Sequence, residues 1–349
     1  MPIDPSEPEE VREALAAYLA TRAGFVGFDT GPARMGRGFD TFIYGFQPSP
    51  VGDDAAWHRP LVVRIYTSVD QREKAQREAA VQRFAASCGY PALEPLAVET
   101  EDNPFGLPIM VMERVEGRTL LEQMTSSPLS TRAQVRRMAE LHVQLHRLPV
   151  EGCRLPAGEP LVERRIGEFR ERISRHALDD LSGGLRWLEE HRDVVLDEEV
   201  CLCHNDFHPL NILTGNNGRM TVIDWTDAAL GDRLHDVGRT VVLFWFAQVA
   251  ATSAVERFVL RAVRGLLRSW YFERYRSLWP VDTRRLQYWE ALQTFHGWLQ
   301  LRELEVRDAA DAGSQPEMAQ NIAAGVKDQV KRYFWKQAEG AATSTMRAT

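Results

Sequence analysis

Asp206, Asn211 and Asp224 are the residues whose types and spacing best suit chemistry. They lie in Cys201-Leu202-Cys203-His204-Asn205-Asp206-Phe207-His208-Pro209-Leu210-Asn211-Ile212-Leu213 and in Thr221-Val222-Ile223-Asp224-Trp225. Between the two runs sits Asn216-Asn217-Gly218-Arg219, and Asn-Gly flanked by apolar runs is the strongest short hairpin signal. A two-residue turn at Asn217-Gly218 sets Asn216 opposite Arg219 and, counting outward, Asn211 opposite Asp224. An amide oxygen facing a carboxylate makes a hard-oxygen site, suited to Mg²⁺ rather than to a softer metal. Asp206, on the loop entering the hairpin, is placed to accept a proton from a substrate hydroxyl. One base with two metal ligands is a phosphoryl-transfer constellation. Cys201, Cys203 and His204 read as a strand entering the loop, with Leu202 alternating, and not as a metal cluster.

The elements that must position these residues change character along the chain. Ser6-Glu7-Pro8-Glu9 has capping-box spacing and leads into Val11, Leu15, Ala16, Tyr18 and Leu19 at helical intervals. Strands follow around Ala33-Arg34-Met35 and Thr41–Phe46, with Gly36-Arg37-Gly38-Phe39-Asp40 as the turn. Leu61–Tyr66 reads as a third strand, Gln71–Ala86 as a helix and Leu107–Val115 as a further strand. From Glu116 helical periods dominate: Thr131-Arg132-Ala133-Gln134 has a second capping-box spacing, and Val135, Met138, Leu141, Leu145 and Leu148 share a face. The expected division is therefore 1–115 and 116–349, with helices rich in Trp and Phe beyond Asp236 and a frayed polar end at 341–349.

Composition bounds the function. The 349 residues are 44% apolar, enough for a sizeable core. A net charge of −7, with Lys and Arg dispersed, argues against a nucleic-acid surface and suits a cationic substrate as well as plain solubility. The four cysteines, Cys88, Cys153, Cys201 and Cys203, are too scattered for a disulfide framework and are expected as free thiols. No apolar stretch is long enough to span a membrane, and the acidic opening Met1–Glu7 is unlike a secretory signal, so the expectation is a cytoplasmic protein without a membrane partner.

His204-x-Asp206-x4-Asn211 followed by Ile223-Asp224-Trp225 resembles the aminoglycoside phosphotransferase and choline kinase superfamily, over about residues 30–240. Protein kinases share the Asp-x4-Asn loop, but the Ile-Asp-Trp triplet, the His-Pro after Asp206, Gly231-Asp232 and Asp236 are similar to the small-molecule branch. The resemblance implies a bilobal α+β protein-kinase-like fold, with an N-terminal antiparallel sheet lobe holding one embedded helix and a larger, mainly helical C-terminal lobe. It also implies ATP and Mg²⁺ as cofactors and transfer of a phosphoryl group to a hydroxyl of a small molecule. By the resemblance Asp206 is the catalytic base, Asn211 and Asp224 hold the metal, His204 props the loop, and His208 holds the loop or the phosphate region.

The nucleotide side is mapped in the same way. Gly36 and Gly38 leave backbone amides open to phosphate, although the third glycine of a kinase loop is missing. Arg64 stands where the third strand is expected to carry a lysine, and its partner is Glu78, with Glu73 as second choice. Met112 lines the back of an adenine pocket whose edge meets the carbonyl of Glu113 and the amide of Val115. Asp227, Asp232, Trp270, Tyr271, His296, Trp298, Glu303 and Glu305 are acceptor-site candidates, against a core reading for the aromatic ones. Two rivals stand beside an active small-molecule kinase. A nucleotide-binding pseudokinase is suggested by Arg64 and the sparse glycine loop, and opposed by the retained Asp206, Asn211 and Asp224. A protein kinase is opposed by the mere twelve positions from Asp224 to Asp236, too few for a long activation loop.

Overall fold

Along one strand Leu61, Val63 and Ile65 alternate with Val62, Arg64 and Tyr66; the first set packs in one core, and Val62 and Tyr66 pack in another. The computed structural model describes residues 2–21, 25–37, 41–50, 55–153, 155, 160–196, 200–246, 254–310 and 317–343. The chain forms two compact units: Met1–Ser126 with Glu151–Leu155 and Pro209–Ala228, and Ser127–Val150 with Pro156–His208 and Ala229–Thr349.

The first unit opens with α1 (Pro8–Ala20), then β1 (Phe25–Arg37), β2 (Thr41–Pro50), β3 (Leu61–Tyr66), α2 (Arg72–Ser87), β4 (Ala97–Glu99) and β5 (Ile109–Glu113). The five strands pair antiparallel in the order β1-β2-β3-β5-β4. Val11, Leu15, Tyr18 and Leu19 of α1 pack with Tyr44, Phe46, Leu61, Val63, Ile65 and Val111 on one face of the sheet. On the other face Tyr66, Met110 and Met112 meet Ala75 and Ala79, whose small side chains let α2 lie close. With both faces covered, β3 is apolar throughout apart from Arg64, and each fully buried Val, Leu or Ile contributes about 1.5–3 kcal/mol. Arg64 belongs to the α2 face by period two, which is why its charge must be met from α2.

The unit is completed by β6 (Gly117–Thr119), α3 (Leu120–Ser126) and, much later in sequence, the hairpin β8 (Ile212–Gly215) and β9 (Met220–Val222), in the sheet order β6-β8-β9. The hairpin corrects the expected register. Its loop is Asn216-Asn217-Gly218, with Gly218 at φ 75° and the amides of Gly215 and Gly218 donating to Arg219 and Gly215 carbonyls. A three-residue loop that ends in left-handed glycine shifts the pairing by one, so Ile212 opposes Val222 and the Asn211 carbonyl accepts from Ile223, not from Asp224.

Both expected capping boxes are also corrected. The N-cap of α1 is Glu7, without a side-chain cap, and Ser6 instead bonds Asp4. In α4 (Thr131–His146) the N-cap is Ser130, and the Gln134 side chain reaches the Ser130 hydroxyl. A complete box stands at Ser68 and Gln71, at the entrance to α2.

The second unit holds α4, α5 (Leu161–Arg175), α6 (Ser182–His191), β7 (Val200–Cys203), β10 (Ala229–Asp232), α7 (Arg233–Phe246), α8 (Ala254–Leu278), α9 (Thr283–Ala310) and α10 (Glu317–Thr343). Its core gathers Phe169, Leu185, Leu188, Trp289, Phe295, Trp298 and Phe334. Strands β7 and β10 pair antiparallel and bury Cys201 and Cys203, and the four cysteines are free thiols. No described helix is long and apolar enough to cross a membrane.

Candidate functional site

In the first unit Arg64 is the hub of a buried polar cluster. Its Nη1 donates to Glu78 Oε1 at 2.7 Å, and its Nη2 donates to Asp224 Oδ1 at 3.1 Å and to the Thr226 hydroxyl at 2.9 Å. Burial opposes the guanidinium charge, but the Glu78 and Asp224 carboxylates outweigh it and hold the pKa above its ordinary value. Glu78 is further held by the Tyr66 hydroxyl at 2.8 Å and, more loosely, by Gln82 at 3.4 Å. Arginine rather than lysine allows this: a planar fork reaches two carboxylates at once. Glu73 is exposed, so Glu78 takes the pair.

Asp224 reaches this cluster by a backbone device instead of hairpin pairing. It has φ 61°, a left-handed conformation uncommon outside glycine, two residues after the end of β9. The turn is locked by Trp225, whose indole donates to the Val222 carbonyl at 3.2 Å and packs edge-on against Tyr90 at 5.8 Å. The Val222 amide donates to the Pro91 carbonyl at 2.8 Å, tying the hairpin to the segment after α2. Asn211, at the foot of β8, is 8% exposed, while the Asp224 side chain is 41% exposed.

Asp206 lies in the second unit, on the loop after β7. This loop is pinned from α7: Asp236 accepts the His204 amide at 2.6 Å and the Asn205 amide at 2.9 Å. Asn205 has φ 63° and its side chain meets His235 Nδ1 at 2.9 Å. Asp236 is in turn held by His142 at 3.0 Å and His146 at 3.3 Å, each of whose Nδ1 atoms meets a tyrosine hydroxyl, Tyr271 or Tyr275, at 2.7 Å. Since a carboxylate only accepts, His146 Nε2 donates to Asp236 and its Nδ1 accepts from Tyr275, while His142 Nε2 approaches the carboxylate closely without a hydrogen bond. Burial opposes the Asp236 charge, yet the two histidines hold it well below the ordinary carboxylate value. His146, Cys201 and Cys203 offer atoms within 4.8 Å of one another, but both nitrogens of His146 are already engaged.

The Asp206 side chain itself meets His208 Nε2 at 3.2 Å and Arg239 at 3.6 Å, and its amide donates to His204 Nδ1 at 3.3 Å. Burial raises its pKa, but the His208 hydrogen bond and the charges of His208 and Arg239 bring it below the usual value. Ionised at neutral pH and 27% exposed, it is available as a proton acceptor.

The remaining sequence-predicted residues fall in several places. Gly36 lies in β1 opposite Ile43, and Gly38 is outside the described residues. Met112 packs on the α2 face; the neighbouring Arg114 amide is bound by the Pro60 carbonyl at 2.9 Å. Glu113 and Val115 line a cavity of about 1130 Å³ with Arg59, Tyr90 and the 215–221 turn, which Arg64, Glu78, Asn211 and Asp224 do not line. Among the acceptor candidates Tyr271 and Trp298 are core side chains, and Asp232 is buried, accepting from Leu234, Arg285 and Trp289. Glu303 is paired with Arg172, and Glu305 with Lys327. Thr226, Tyr66 and Arg239 were not anticipated. Arg239 was findable, three positions after Asp236 on the same helix face; Thr226 stands two residues after Asp224.

The sequence matches the phosphotransferase enzyme family over residues 51–278. Among curated proteins, acyl-CoA dehydrogenase family member 11 of Mus musculus is 26% identical over 186 residues, covering 50% of this chain and only 23% of that protein. Among solved structures, a candidate aminoglycoside phosphotransferase from Ralstonia eutropha superposes with a TM-score of 0.69 at 18% identity, covering 94% of this chain and 98% of that one. Amicoumacin kinase in complex with AMP-PNP, Ca²⁺ and Ami gives 0.60 at 14% identity, covering 96% of both chains.

Proposed function

The chain belongs to the phosphotransferase enzyme family, and from that premise we propose that it transfers the γ-phosphoryl of ATP to a hydroxyl of a small molecule. The observation that carries this reading is the placement of Asp224: a left-handed turn delivers its carboxylate beside an arginine already paired with Glu78. A structural ion pair needs no second, half-exposed carboxylate. The donor set, an amide oxygen from Asn211 and a carboxylate from Asp224, fits a hard divalent cation, and Mg²⁺ bound there would neutralise phosphate charge. Arg64 binds the phosphates, with Glu78, Tyr66 and Gln82 fixing its direction. Asp206 accepts the proton as the substrate oxygen bonds to the γ-phosphorus and the bond from that phosphorus to the β–γ bridging oxygen breaks, leaving ADP. The rest is positioning and charge complementarity.

The protein's tested acceptors would be aminoglycosides, macrolides, choline, sugars and amino alcohols, with ATP consumption as readout. Asp206→Asn keeps size and hydrogen bonding but removes proton acceptance, so turnover falls roughly 10²- to 10⁴-fold while nucleotide affinity stays within about twofold. Near wild-type turnover in that variant overturns the assignment of the base. A wild type that binds nucleotide but phosphorylates nothing in a broad panel favours the pseudokinase.

A further inference from the structure

The Thr226 hydroxyl occupies a junction that neither the reaction nor the ion pair requires. It accepts from Arg64 Nη2 at 2.9 Å and stands 2.8 Å from Asp224 Oδ1 and 3.1 Å from Glu78 Oε2. A hydroxyl has one proton, so it donates to only one of these carboxylates at a time, and the shorter contact is to Asp224. Asp224 Oδ1 is thus held by Arg64 and Thr226, and a cation that takes this oxygen competes with both donors.

We propose that Thr226 is a positioning residue that releases Asp224 to the metal. When Asp224 leaves, the Thr226 proton swings to Glu78 Oε2, whose carboxylate remains in place through Tyr66 and Arg64. The same hydroxyl oxygen goes on accepting from Arg64 Nη2, so a buried guanidinium is not left short of an acceptor. Without the hydroxyl, Nη2 keeps Asp224 as its anion and the metal must break that pair uncompensated. The inference rests on the proposed metal role of Asp224.

The test is calorimetric titration of AMP-PNP into the full chain at graded MgCl₂, for the wild type, Thr226→Val, Thr226→Ala and Thr226→Ser. Thr226→Val should raise the Mg²⁺ concentration for half-maximal nucleotide binding roughly tenfold, the loss of one charge-assisted hydrogen bond, while affinity at saturating Mg²⁺ changes less than about twofold. Thr226→Ala, which cannot overpack the site, should show the same shift if the valine variant does not fold, and Thr226→Ser should restore the wild-type curve. An unchanged Mg²⁺ requirement in Thr226→Val or Thr226→Ala overturns the inference, as does a serine variant as impaired as the valine, which would make the effect one of packing. A wild type whose nucleotide binding ignores Mg²⁺ overturns the metal role of Asp224 itself, and this inference with it.

Discussion

Replacing Arg64 by alanine strands a carboxylate. The Glu78 side chain is fully buried and that of Arg64 is 10% exposed, so the pair is screened little by solvent. In Arg64→Ala, Glu78 keeps the Tyr66 and Thr226 hydroxyls and the Gln82 amide but has no cation, and removing one partner of a buried pair costs about 3–5 kcal/mol. That is a large share of a typical stability of ~5–15 kcal/mol. The same rule says that removing both charges is cheap, so Arg64→Ala/Glu78→Gln should recover at least half of the loss. Arg64→Lys should lose less than about 2 kcal/mol, because an ammonium still meets Glu78 while giving up the second arm of the fork. Urea unfolding followed by circular dichroism and tryptophan fluorescence, in metal- and nucleotide-free buffer, measures all three. An Arg64→Ala loss under about 1 kcal/mol, or a double variant no more stable than the single, would refute the buried-pair reasoning.

Three further outcomes are expected. Burial and the neighbouring His142 depress His146 to about 4, with Asp236 opposing, so its contribution to stability is complete above the unfolded value near 6.5 and is lost as pH falls from there toward 4, at about 1.4 kcal/mol per pH unit in mid-window and ~3 kcal/mol in all. His146→Gln should flatten the urea midpoint across that window by this amount relative to wild type, and an equal slope in both proteins would contradict it. Gly218→Ala meets no atom within 4 Å but forces alanine to φ 75°, so it should cost about 1–2 kcal/mol in urea unfolding, with Gly218→Asn milder; a neutral alanine would show that the loop can change its turn. Cys88 and Cys153 are partly exposed whereas Cys201 and Cys203 are buried, with burial pushing the Cys203 thiol well up. A thiol-specific disulfide reagent should therefore react quickly with two groups in the native protein and four in urea, and rapid native modification of Cys201 or Cys203 would contradict their packing.

Elements with strong periodicity were legible. Leu61–Tyr66 reads as a strand end to end because β-branched residues fill both faces, and α2 differs from its expected span by one residue at each end. Finer geometry was not legible where one residue decides between alternatives. Gly218 could be the second residue of a two-residue turn or the third of a three-residue loop, and only the backbone shows the latter, which moves Asn211 away from its expected partner. At the first helix Pro8 occupies N1 and fixes the start one residue later than Ser6 would. In the site, the Arg64–Glu78 pair could be read from strand-then-helix order, because both elements are local. Thr226 could not, since its role exists only where positions 64, 78 and 224 converge.

The order in which the first unit is synthesised follows from its makeup. Ser126 is followed by Ser127–Val150 and Pro156–His208 of another unit before Pro209–Ala228 supply β8, β9, Asp224 and Thr226. At about 5–20 residues per second, the ribosome takes roughly 5–20 s to pass from Ser126 to Ala228. During that interval β6 lacks the strand it pairs with, and Pro91 lacks the amide of Val222. A synonymous codon change that slows translation between Ser127 and His208 lengthens the life of this unfinished edge, and its effect belongs in the soluble yield of the nascent protein, not in the behaviour of the molecules that complete folding.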